Sequence, residues 1–300
     1  MEFLYIVINI VIFLALAPLF EGIIRKLTAR VQSRQGPPVV QPYYDLLKLL
    51  GKENINSAGN WVFKAAPLMA LSSILAVIAF VPLGYKENVL TSYADVITII
   101  YLLTLGGVSV LLGALASKNT FAQIGASREM ITMIMVEPVL AMTFIMGAVK
   151  VKSLGIGSTM FSVAQTGYAV SVVIMLVVFL VALQAFVGRQ PFDITEAEIE
   201  ILEGPFIEYS GPNYAMFKYY MMLKQMFYAS LLVTVFAPFL QTGIYALNIL
   251  TQLVGVAVVF VIIALIGSTN PRFRIDQAVR YYSVLILLSL CAVGLSVYGL

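Results

Sequence analysis

Between Gly188 and Gly211 the chain reads GRQPFDITEAEIEILEGPFIEYSG. This stretch holds Asp193, Glu196, Glu198, Glu200, Glu203 and Glu208, six of the fifteen acidic residues. Carboxylates crowded this closely repel one another when ionised, which holds at least one of them in its protonated form and suits transient proton storage. Alternatively they pair with Arg30, Arg34, Arg189, Arg272 or Arg274 from neighbouring loops. Thr195 and Glu198 have capping-box spacing, which predicts a helix opening at Thr195 with acids in its first turn. On that helix Glu196, Glu200 and Glu203 share one face. The alternating ligand spacing of a calcium loop is absent.

Glu137 is the second candidate. It lies in MITMIMVEPVLAM, with no basic residue from Met130 to Val149. A carboxylate surrounded by hydrocarbon favours its neutral form and is by default a functional group. The other reading is a neutral acid making one interhelical hydrogen bond. Pro138 beside it frees backbone carbonyls and can kink the helix. Glu21 and Asp95 read as polar residues near span ends, and the Met-rich run Met130–Met146 reads as packing.

The elements that position these groups cross a membrane. Of the 300 residues, 61% are apolar and 11% charged, against about 25% charged in soluble domains. Eight apolar runs reach the roughly 20 residues that a span needs: 3–24, 62–82, 94–116, 130–149, 168–187, 222–240, 244–267 and 279–299. The fold class is all-α, a polytopic membrane protein with one membrane domain over 1–300. Fifteen of the 18 basic residues fall after odd-numbered spans. The positive-inside rule then puts loops 25–60, 117–129, 188–221 and 268–278 in the cytoplasm and both termini outside. The net charge of +3 is thus a topology signal and gives no reason to invoke nucleic acid. The apolar run begins at Phe3 with no basic residue before it, which predicts a retained helix and not a signal peptide.

In the first long loop, Pro42 can open a helix. Asp45, Lys48 and Lys52 take one face of it, and Leu46, Leu47, Leu49 and Leu50 the other: a short amphipathic helix lying in the interface, or against the membrane domain itself. There is no histidine and a single cysteine, Cys291. No disulfide can form within the chain, and haem, zinc or iron–sulfur ligation by this chain alone is disfavoured, so redox chemistry belongs to partners. No internal repeat of the kind found in transporters is present, which argues against a free-standing secondary transporter.

These residues carry a resemblance. Arg34-Gln35-Gly36-Pro37 and Gln41–Leu49 resemble the R-x-G-P turn and Q-P-x-x-D-x-x-K-L of the membrane subunit that anchors the peripheral arm of complex I. Arg189–Glu200 and Glu208–Gly211 are similar to its R-x-P-F-D-x-x-E-x-E-x-E and E-Y-S-G, and Pro271–Gln277 to its P-R-x-R-x-D-Q. Glu137-Pro138 resembles a carboxylate–proline feature of a middle span. The likeness covers most of the chain and is stronger toward the homologous subunit of membrane-bound NiFe hydrogenases and related ferredoxin-dependent complexes. Two departures point the same way. Phe186 stands where complex I usually has Glu, and the segment Tyr214–Lys224 carries Lys218 and Lys224 and no acid. Both weigh against quinone binding.

The resemblance implies a non-catalytic anchor and proton- or ion-coupling subunit of a prokaryotic cytoplasmic-membrane complex. Its partners would be hydrogenase-like large and small subunits, a ferredoxin-like iron–sulfur subunit and antiporter-like membrane subunits. The NiFe centre and 4Fe–4S clusters would sit in those partners, with no cofactor or metal in this chain. Proton-path candidates are Glu137, Asp193, Glu196, Glu198, Glu200, Glu203 and Glu208. Candidates for the interface with the peripheral arm are Arg30, Arg34, Asp45, Lys48, Arg128, Arg189, Arg272, Arg274 and Asp276. The alternative is the quinone-site subunit of a complex I-like dehydrogenase.

Overall fold

The computed structural model describes residues 2–55 and 57–299, and the side chains of all of these except Glu2, Glu198 and Ile199. The chain is helical throughout: α1 (Glu2–Val31), α2 (Gln41–Leu50), α3 (Trp61–Phe80), α4 (Val89–Tyr93), α5 (Val96–Ala116), α6 (Thr120–Val151), α7 (Ile156–Met160), α8 (Ser162–Thr166), α9 (Val170–Val187), α10 (Glu198–Ile201), α11 (Gly211–Phe236), α12 (Tyr245–Thr269) and α13 (Ile275–Val297). Among the described residues, α1, α3, α5, α6, α9, α12 and α13 are long and apolar enough to cross a membrane.

The eighth expected span is α11, and its composition has a structural reason. The seven apolar helices form a closed ring in which α12, α1, α3, α5, α6, α13 and α9 pack in turn, the last back on α12. Helix α11 packs on α1, α3, α9 and α12, and nineteen of its 26 residues are buried. It faces protein, so it can carry Asn213, Lys218, Lys224 and Gln225 and still have the length of a span. It also begins at Gly211, well before the expected 222, with Pro212 in its first turn.

Helix α6 likewise starts at Thr120 and not near 130, because Asn119 caps it by accepting from Phe121 N–H at 2.8 Å. Arg128 and Glu129, expected in a loop, therefore belong to the same helix as Glu137. On α2, Asp45 faces inward, while Tyr44, Leu47 and Leu50 form an exposed stripe. That suits a helix lying in the membrane interface. Its approach to α1 is close: a Cβ on Gly22 would overlap the backbone of Val39.

Candidate functional site

Beneath the acidic loop lies a cavity of roughly 520 Å³, walled by the C-terminal ends of α1 and α9, by α11 and by α12. At its edge Glu21 is almost fully enclosed, its side chain 4% exposed. Arg25 binds it at 3.1 Å, one turn on along α1, and Arg189 donates to its other oxygen. Arg25 also holds Asp45 of α2 at 2.9 Å, and Gln41 donates to Asp45 at 3.1 Å. Arg189 reaches Gln225 of α11 at 3.5 Å. The charges thus alternate, Asp45–Arg25–Glu21–Arg189, which is the condition under which buried charge is tolerated. Burial pushes the Asp45 carboxyl up, but hydrogen bonds from Gln41 and Arg25 outweigh it and the net direction is down.

The acidic loop is pinned across this cavity. Phe192 sits among Phe273, Tyr281 and Tyr282, with ring centroids 5.1–5.2 Å away. Phe273 N–H donates to the Pro191 carbonyl at 2.9 Å. Arg272 binds Asp193 at 2.8 Å. Arg128 of α6 donates to the Ile194 carbonyl at 3.3 Å and binds Glu200 at 2.7 Å, which lowers the Glu200 carboxyl. The turn at Gly204–Phe206 lies on α6 at Gly125, where a Cβ would overlap Pro205.

These restraints replace the expected helix. Thr195 does not cap it. The helix starts after Ala197, has no side-chain cap, and runs only to Ile201. The Glu198 half of the expected capping box lies outside the described side chains. Glu196 precedes α10 and Glu203 follows it, so Glu196, Glu200 and Glu203 share no helical face. Each acid finds its own surroundings. Glu203 accepts from Tyr214 O–H at 3.0 Å, and Glu208 accepts from Asn119 Nδ2 at 2.7 Å. Glu196 lines the cavity, where burial, and next the charge of Asp193, push its carboxyl up to about 8.

Two small voids share lining residues with the cavity. One, roughly 40 Å³, is lined by Glu196, Glu129 and Lys224. The other, roughly 50 Å³, is lined by Glu129, Lys224 and Glu137. Gly188, at the end of α9, borders all three spaces. The structure therefore groups Asp193, Glu196 and Glu203 around the cavity and sets Glu137 deeper, beyond Glu129 and Lys224. Glu200 and Glu208 are held at the loop's outer contacts by Arg128 and Asn119.

Sequence reasoning did not single out Glu129, took Arg25 only as a topology marker and Lys224 as a topology marker and a departure from the quinone-type pattern, and read Glu21 as interfacial. Two signals were present: an acid and a base four residues apart, Glu21 and Arg25, and a lysine within the apolar run of α11. Of the arm-facing candidates, Asp45, Arg128, Arg189 and Arg272 are engaged within the chain. Arg30, Arg34, Lys48, Arg274 and Asp276 are exposed, and among the described residues none of them has an ion pair. No group of three His, Cys, Asp or Glu side chains among the described residues could hold a metal ion.

Residues 3–297 match the family model of NADH dehydrogenase, NADHdh. The chain belongs to the NADH dehydrogenase family. Within it, the chain is 32% identical over 288 residues to formate hydrogenlyase subunit 4 of Escherichia coli, covering 93% of this chain and 94% of the relative. It is 34% identical over 272 residues to hydrogenase-4 component C of the same organism, covering 88% and 86%. A subunit of the NADH-quinone oxidoreductase of Pelagibacter ubique is 29% identical over 276 residues, covering 85% and 81%. Among solved structures, a chain of the membrane-bound sulfane sulfur reductase (MBS), an archaeal respiratory membrane complex, superposes with a TM-score of 0.85 at 26% identity. That match covers 98% of this chain and 99% of the other. The NADH dehydrogenase family thus spans hydrogenase-type and quinone-type relatives, and this chain is similar to both.

Proposed function

We propose that this chain is the membrane-anchor and ion-coupling subunit of a hydrogenase-type respiratory complex in a prokaryotic cytoplasmic membrane. One observation carries the reading. The charged cavity beneath the acidic loop shares Glu196 with one small void, which shares Glu129 and Lys224 with a second, and Glu137 of α6 lines that second void. A charge change at the loop would act on Glu196, then on Glu129 and Lys224, and through them on Glu137, because Coulomb forces are strong where water is scarce. Coverage of more than 85% of both chains in the formate hydrogenlyase and hydrogenase-4 relatives supports this branch.

In this reading hydrogenase-like large and small subunits and a ferredoxin-like iron–sulfur subunit form the peripheral arm. They carry the NiFe centre and the 4Fe–4S clusters, and they evolve hydrogen or reduce a sulfur compound. Exposed Arg30, Arg34, Lys48, Arg274 and Asp276 meet that arm. Antiporter-like membrane subunits complete the complex, and both termini of this chain face outward.

The cavity also favours a second reading, because roughly 520 Å³ is within the range of small-molecule sites, about 300–1,000 Å³. A quinone headgroup would then sit there. Against it stands Phe186, which fills its position with a ring stacked on Tyr228 at 4.9 Å where the complex I branch usually has a carboxylate. Purifying the tagged chain from native membranes tests both. Copurified hydrogenase-like subunits, with hydrogen evolution indifferent to quinone, support the first reading. Strict quinone dependence supports the second.

A further inference from the structure

Helices α6 and α11 both line the two small voids. On α11, Tyr220, Lys224 and Tyr228 recur every fourth residue, and all three border the inner voids. On α6, Glu129, Thr132, Met133 and Glu137 line the same space. Lys224 and Glu129 border both voids, whereas Glu137 borders only the inner one. Among the described residues no ion pair involves Lys224. Glu129 and Glu137 are eight positions apart, about 12 Å along a helix that rises 1.5 Å per residue. One ammonium cannot bind both directly. Each void can hold water, which needs roughly 10–15 Å³ of such space.

We propose that Lys224, Glu129 and Glu137 form one unit in which the two carboxylates share a single proton and the ammonium is counter-ion to whichever of them is ionised. This rests on the coupling role proposed above and adds to it how the three groups divide one proton and one counter-ion. Two ionised carboxylates and one ammonium would leave an uncompensated negative charge in a low-dielectric space. One shared proton removes it. The shared proton, on a Glu129 oxygen while Glu137 is ionised, passes through water to a Glu137 oxygen, and a new proton enters Glu129 from the side of Glu196 only as that one leaves. Meanwhile Lys224 shifts its N–H donors from Glu137 to Glu129. Only O–H bonds form and break, and the net charge of the unit is unchanged. The long, flexible lysine stem with its three donors suits that movement. The other titratable groups facing the unit are Glu196 from the acidic loop and the phenols of Tyr220 and Tyr228.

The test uses the intact complex carrying Lys224→Met or Lys224→Arg, with Lys224→Gln in reserve should the methionine variant not assemble. Two quantities are read: ion uptake into proteoliposomes during turnover, and infrared titration of protonated carboxyl groups. Without the ammonium, the protonated-carboxyl signal should persist to higher pH by at least about one unit, a tenfold change in the ionised fraction, and uptake should fall at least about tenfold with it. Lys224→Arg should retain most of both. Wild-type uptake and an unmoved titration in Lys224→Met would overturn the proposal. A wild-type complex that fails to couple at all would instead sink the coupling role itself, and so the two failures are distinct.

Discussion

Tyr209 donates its hydroxyl to the carbonyl of Phe63 at 3.1 Å and stacks on the Phe63 ring with centroids 4.0 Å apart. Phe63 lies four residues before Pro67, which has no N–H, so that carbonyl has lost its helical partner. Tyr209 supplies a substitute and in doing so ties the acidic loop to α3. The same device recurs in α1, where Pro18 frees the Leu14 carbonyl and Tyr219 donates to it at 2.7 Å. Removing one partner leaves a buried acceptor unpaired, so Tyr209→Phe should destabilise the chain by about 1–3 kcal/mol. In a Pro67→Ala background the helix provides its own N–H. There Tyr209→Phe should have little effect on unfolding in mixed detergent. An equal loss in both backgrounds would show that the hydroxyl's partner is not the proline-freed carbonyl.

Much of the scaffold was legible because a membrane span is a long-range average over some 20 apolar residues. Helix α11 was the exception in extent, since its span was expected from 222 and it begins at Gly211. Lys218, Lys224 and Gln225 lower its hydropathy, and the sequence does not say that a ring of other helices shields them. The motif residues of the acidic loop could be named, but their partners could not. Glu21 and Arg189 lie 168 positions apart, and no local pattern joins them. The expected shared face of Glu196, Glu200 and Glu203 failed for a local reason. Leu202 takes a positive φ of 58° and Gly204-Pro205 follows, so the helix cannot continue.

Glu21 stands between two arginines, and its removal should be felt. Glu21→Ala leaves Arg25 and Arg189 facing each other without a carboxylate between them, and breaking such a pair costs about 3–5 kcal/mol. Glu21→Ala combined with Arg189→Ala should recover a large part of this, since Asp45 still holds Arg25. Unfolding of the three variants in mixed detergent measures it. A double variant no more stable than Glu21→Ala would contradict the alternating-charge account.

Glu196, raised to about 8, gives the folded chain a pH signature. From its ordinary value of 4.5 up to about 8 the folded chain holds a proton that the unfolded chain releases. The stability it contributes is therefore complete below 4.5 and is lost as pH rises through about 8. Glu196→Gln should flatten that part of the stability profile. It should also abolish a carboxyl titration in the mildly alkaline range, read by infrared spectroscopy. An unchanged profile would mean that another group titrates there.

Orientation is open to labelling in a Cys291→Ala background, which removes the single native thiol. Lys48→Cys, on the exposed side of α2, should react with an impermeant reagent only from the cytoplasmic side. Lys86→Cys, between α3 and α4, should react only from the outside. The reverse pattern would invert the proposed topology.

Coupling through this chain is tested most directly by Glu137→Gln, which keeps size and hydrogen bonding but cannot ionise. The complex should still assemble, and electron transfer by its peripheral arm with an artificial donor should be untouched. Ion uptake into vesicles, measured beside that electron transfer, should be lost. Uptake at the wild-type level in Glu137→Gln would contradict the account, because a carboxylate that never needs to ionise is only a structural hydrogen bond.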